Sequence, residues 1–77
     1  MQGPPAGWVV RVTTKALQGP PHEEYWDTAI PDPVAAEQAV SNVEKATPDQ
    51  EIRVVEALSE SAVRGIGLRP GEVRKRQ

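Results

Sequence analysis

Trp8-Val-Val-Arg-Val-Thr-Thr-Lys-Ala-Leu17 is rich in β-branched residues and free of Gly and Pro, the strongest strand signal in the chain. Gln18-Gly19-Pro20-Pro21-His22 interrupts it, because two successive prolines remove two amide donors and fix φ. A second strand is expected over Glu23–Ile30, ended by Pro31. In an antiparallel hairpin, side-chain parity decides which residues share a face. Centring the turn on Pro20 sets Val10 opposite Ile30, Val12 opposite Thr28 and Thr14 opposite Trp26, with Trp8 on the same apolar face. The other face then pairs Arg11 with Ala29, Thr13 with Asp27 and Lys15 with Tyr25. A shift by an odd number of residues would mix the two faces, so parity is the firmer part of this assignment.

After the hairpin, Asp32-Pro33 reads as an N-cap followed by proline at the first helical position. Ala36, Ala39, Val40 and Val43 recur at helical spacing, with Glu37, Gln38, Ser41, Asn42, Glu44 and Lys45 on the opposite surface. Pro48 disfavours helix at Thr47, so the helix should stop near Ala46. Glu51–Leu58 is expected to be a third strand with Ile52, Val54 and Leu58 facing the helix, although Glu56 breaks that parity and Val55 favours the other. Ser59 caps a short helix from Glu60 to about Arg64, and Arg69-Pro70-Gly71-Glu72 is expected to form a type II turn.

The expected fold is a small α+β two-layer sandwich, β-β-α-β with a short C-terminal helix. Its three-stranded, mainly antiparallel sheet has order 2-1-3, with one main helix on one face. Residues 1–7 read as a flexible leader, 8–73 as a single α+β domain and 74–77 as a solvated basic tail. The 77 residues include only sixteen Val, Leu and Ile and no Phe, so the core is thin. A net charge of −2 nevertheless separates the chain from typical disordered sequences.

Little in the sequence carries catalytic chemistry. With no Cys, thiolate catalysis and Cys-ligated zinc are excluded. His22 is the one histidine, and on a strand Glu23 and Glu24 point to opposite faces, so the three do not converge into a base or metal site. Gly65, Gly67 and Gly71 follow a helix and precede a turn, the reverse of a dinucleotide-binding loop. Ser41, Ser59 and Ser61 lack a nucleophile-elbow context. The expectation is a protein without enzymatic activity, cofactor or metal. No apolar run reaches the ~18 residues of a membrane span, and the expected location is cytoplasmic.

Two surfaces stand out. Adjacent Tyr25 and Trp26 cannot both face inward, and the register above sends Tyr25 to the open sheet face. There it joins Val9, Ala29, Val55 and Ala57, ringed by Arg11, Lys15, Asp27 and Arg53, an apolar centre with a charged rim of the kind found in interfaces. Residues 20–60 carry ten acids against Lys45 and Arg53, whereas Arg64, Arg69, Arg74, Lys75 and Arg76 follow with only Glu72 against them. The sequence therefore points to a protein-interaction or regulatory module, pairing with a protein partner or with itself as a homodimer. The alternative is weak nucleic-acid binding through the Arg69, Arg74, Lys75 and Arg76 region, disfavoured by the acidic body.

Overall fold

A computed structural model describes residues 4–76. The elements run β1 (Gly7–Thr14), β2 (His22–Thr28), α1 (Pro33–Glu44), β3 (Gln50–Leu58), α2 (Glu60–Ile66) and β4 (Val73–Lys75). They form an α+β fold around one four-stranded sheet of order β3-β1-β2-β4. β1 lies between β2 and β3, as its apolar run implies, and every pairing is antiparallel. The fourth strand is the departure from the expected three. Val73–Lys75 pairs with Trp26–Thr28 and covers half of an edge that the sequence left open.

The hairpin keeps its expected parity but shifts its register. Val10 faces Trp26, Val12 faces Glu24 and Arg11 faces Tyr25, which centres the turn on Gln18 rather than Pro20. Two packing terms account for the choice. The largest side chain of β2 comes to lie across from a fully buried valine, in the cluster Val10, Val12, Trp26, Ala36 and Val40. Thr28, fully buried, is brought opposite Trp8, where its hydroxyl accepts from the Trp8 N–H (3.2 Å) and donates to the Trp8 carbonyl (3.0 Å). Both hydroxyl roles are satisfied, which offsets the cost of taking the group out of water. Gly7 begins β1 where a Cβ would stand 1.9 Å from the Thr28 carbonyl oxygen, so no other residue fits without moving backbone.

α1 is capped as expected: the Asp32 carboxylate accepts from Ala35 N–H at 2.8 Å, and Pro33 opens the helix. Its buried stripe is narrower than the periodicity suggests, with Ala36 and Val40 fully buried and Val43 left 54% exposed. Glu37 instead turns towards the sheet and accepts from the Val54 N–H at 2.9 Å. That bond satisfies an amide of β3, the uncovered edge strand.

β3 resolves the conflict between Val55 and Glu56 through a bulge. Val9 pairs with Glu56 and Val10 with Val54, leaving Val55 as the extra residue. Ile52 and Val54 therefore pack against the α1 cluster as expected, but beyond the bulge the alternation reverses. Leu58 goes to the opposite face, and Ala57, paired with Trp8, goes to the α1 face.

The face opposite α1 is only half open. Ser59 caps α2 by accepting from Ala62 N–H (3.1 Å), and Gly67 ends the helix with positive φ. Arg69-Pro70-Gly71-Glu72 then forms the expected turn, with Glu72 N–H bonded to the Arg69 carbonyl and Gly71 at φ 83°. Ala29 exchanges hydrogen bonds with Gly71 and Glu72, which ties this turn to the end of β2. Val9, Ala29, Leu58 and Leu68 are buried in this region. Part of the expected leader belongs to the fold as well, since Gly7 is in β1 and Ala6 N–H donates to the Leu58 carbonyl. Residues 1–3 and Gln77 lie outside the described residues.

Candidate functional site

On the face opposite α1, the register stacks side chains into rows that run across the strands, about 7 Å apart along them. One row is Glu51, Thr13 and Glu23, from β3, β1 and β2. The next is Arg53, Arg11 and Tyr25, and it continues to Arg76, whose N–H donates to the Tyr25 carbonyl at 2.7 Å. The third is Glu56, Val9, Asp27 and Arg74. A basic row with one aromatic is thus held between two rows that carry acids.

Ion pairs link the rows. Arg53 Nε lies 2.6 Å from Glu51, Arg11 Nε lies 3.6 Å from Glu23, and Arg76 chelates Asp27 through Nε (3.3 Å) and Nη2. Asp27 is 6% exposed, so its two bonds from Arg76 replace much of the hydration it has lost. Asp27 in turn holds the Arg76 guanidinium protonated above its ordinary range. Arg74 reaches over the third row to the carbonyls of Ile66 and Gly67, which anchors the end of α2 on this face. The rows of Glu51 and Arg53 lie clear of that cover: Arg11 and Glu23 side chains are about a third to a half exposed, and Arg53 is exposed.

Of the nine residues expected on this face, Arg11, Tyr25 and Arg53 share one exposed row, whereas Ala29 is buried. Val55 is exposed but sits in the bulge, and Lys15 is exposed beyond the end of β1. Val9 and Asp27 are buried, and Ala57 is on the other face. The patch is therefore more charged and less apolar than the sequence implies. The arginine-and-acid alternation was present in Glu51-Ile-Arg53, but its extension across the sheet depends on register.

The basic C-terminal segment is a strand held by acids rather than a solvated tail. Arg74 pairs with Glu72, Lys75 with Glu24 at 3.1 Å and Arg76 with Asp27. Arg69 is exposed, and its backbone N–H donates to the Glu72 carboxylate at 2.9 Å. That N–H, with the Arg74 guanidinium, draws the Glu72 carboxyl below its ordinary range.

Glu24 lies on the α1 side of β2, where its Oε1 meets both Lys75 Nζ (3.1 Å) and His22 Nε2 (3.2 Å). Glu23 points the other way to Arg11, so the expected divergence of the two carboxylates is realised. The Lys75 ammonium, aided by His22, holds the Glu24 carboxyl below its ordinary value of 4.5. A depressed folded-state pKa contributes stability above the unfolded-state value that is lost as pH falls through the folded one. Lys75→Met should therefore lower stability most near neutrality, with the difference from the unmodified chain shrinking as pH falls and Glu24 becomes protonated in both proteins. Urea denaturation at neutral and at acidic pH measures this; no loss at neutrality, or a loss that is the same at both pH values, would refute the assignment.

Elsewhere, Ala29, Ile30, Val63, Leu68 and Pro70 border an apolar groove of about 510 Å³, with the paired Glu60 and Arg64 at its side. Among the described residues, no group of three or more His, Asp or Glu is placed to hold a metal ion, and no helix is long and apolar enough to cross a membrane. Comparison with known proteins finds no family model that matches the chain, and no curated protein or solved structure with significant similarity to it.

Proposed function

We propose that this chain is a non-catalytic protein-interaction module whose contact surface is the exposed half of the sheet face, centred on Arg11 and Tyr25. The observation that carries the reading is the row Arg53, Arg11 and Tyr25, set beside Glu51 and Glu23 on a part of the face that α2 leaves uncovered. Arginine and tyrosine are the residue types that dominate protein contacts, because each offers broad flat area together with directional hydrogen bonding. Here they project from the middle of a sheet, so their backbones are already fixed and only side-chain entropy is lost on binding. β-Sheet faces that are half buried and half wet are stable without a partner, which suits a module that binds reversibly.

Replacing Tyr25 by a photoreactive phenylalanine derivative, in the cells that express the protein, tests this surface directly. Tyr25 is 36% exposed, so a bulkier ring at this position extends into open space rather than into the core. The expected result is a protein adduct from position 25 and none from the same probe at Val34, an exposed site on α1. Absence of an adduct at position 25, or equal yields from both positions, would overturn the reading.

A further inference from the structure

We infer that the partner of the striped face is a second copy of this chain, stacked face to face about a two-fold axis that runs across the strands. This rests on the preceding reading of that face as a contact surface, and names its occupant. The axis lies between the Glu51–Thr13–Glu23 row and the Arg53–Arg11–Tyr25 row. Rotation by half a turn about it exchanges the two rows while keeping the order of strands. Each row of one copy then lies over the other row of its partner. Arg53 stands over the partner's Glu51, and Glu51 under the partner's Arg53. Arg11 stands over the partner's Thr13, one strand from the partner's Glu23, a separation of about 5 Å that the arginine side chain spans. Tyr25 stands over the partner's Glu23, and the two tyrosines lie one row apart, flanking the axis on the β2 side.

Such self-complementarity is what an isologous contact requires, since one surface must satisfy its own rotated image. It is a property of this particular pairing of rows. The two rows set Glu51 and Glu23 against Arg53 and Arg11, and Arg76 at the end of the second row is paired with Asp27, so the surface is neutral although the chain has a net charge of −2. Approach of a second copy is therefore not opposed at the contact itself. Each arginine keeps the acid it already holds at 2.6 or 3.6 Å and gains a second across the interface. Exposed charge pairs contribute little individually and are screened beyond about 10 Å at 0.1 M salt, so this dimer forms at low ionic strength and dissociates as salt rises.

Charge reversal in both rows provides the test. In Arg53→Glu, an acid faces the partner's Glu51; in Glu51→Arg, a base faces the partner's Arg53. Each variant should be monomeric in sedimentation equilibrium at low salt, with self-association weakened at least tenfold, while its circular dichroism stays native because both positions are exposed. An equimolar mixture should recover the dimer, since the doubly acidic pair of one variant then meets the doubly basic pair of the other. A mixture that remains monomeric would overturn the proposal, as would a dimer that survives both reversals and so uses another surface, such as the β3 edge. A wild-type chain monomeric at low salt would overturn it too. In that case an adduct from position 25 to a different protein would leave the contact-surface reading standing, and no adduct at all would remove both.

Discussion

Trp26→Ala should leave the protein largely unfolded at room temperature. Trp26 is 7% exposed and fills the centre of the cluster formed with Val10, Val12, Ala36 and Val40. Truncating a buried Trp to Ala typically costs about 3–5 kcal/mol in lost transfer free energy and residual cavity. A domain of this size has only about 3–5 kcal/mol of stability from one small core, so a single truncation consumes most of it. The surrounding residues cannot collapse into the space, because Val10 and Val12 are fixed to β1 and Ala36 and Val40 to α1. The companion variant separates packing from hydrogen bonding. Trp26 Nε1 is buried with no hydrogen-bond partner among the described residues. Trp26→Phe therefore gives up no bond and removes an unsatisfied donor, which offsets part of the lost volume. Its cost should stay near 1.5 kcal/mol or below. Urea denaturation of the three proteins measures both values; a Phe variant as unstable as the Ala variant would show that the indole nitrogen has a role.

The faces of β1 and β2 were legible in the sequence because alternation survives any even shift of register. The register itself was not, since Val9, Val10 and Val12 fit several partners on β2 equally well. What selects among them is tertiary: Trp26 across from Val10, and Thr28 bonded twice to Trp8. Both helix caps were readable because Asp32 and Ser59 act on amides three residues away. The inward turn of Glu37 was not, because its partner is an amide on another strand, 17 residues on. In β3, the clash between Val55 and Glu56 was a visible sign that strict alternation fails. The position of the extra residue follows from pairing with β1, so Leu58 and Ala57 were assigned to exchanged faces. Those errors carry over to the candidate surface. Arg11, Tyr25 and Arg53 survive as a row, while Val9 and Asp27, whose surroundings are set by α2 and β4, are lost to the interior.

Deletion of the chain from Arg74 onward gives the second large effect, a loss of stability of about 2 kcal/mol or more. On the sequence, Arg74-Lys75-Arg76 reads as a solvated run, because three residues are too few to show a period. Its partners were nevertheless present as Glu24 and Asp27 on β2. Without Arg76, Asp27 keeps its place among buried groups but loses both charge-assisted bonds, each of a kind worth about 1.5–3 kcal/mol before solvent screening at the half-exposed Arg76 reduces it. The deletion also frees the Tyr25 carbonyl, removes the Lys75 contact that holds Glu24 ionised and unhooks Arg74 from the end of α2. Arg76→Gln separates these contributions, since it retains the strand and removes only the ionic hold on Asp27; it should recover a substantial part of the stability lost on deletion. Adding Asp27→Asn to Arg76→Gln should then be less harmful than Arg76→Gln alone predicts, because the neutral amide costs less to bury unpaired than a carboxylate does. Thermal melts of the four proteins decide the matter. A deletion variant as stable as the full chain would mean that the segment does not hold β2, and would return its arginines to the surface as free cations. Destabilisation confined to the deletion, with both Arg76 variants unchanged, would instead assign the effect to strand pairing and leave the Asp27–Arg76 pair without weight in the fold.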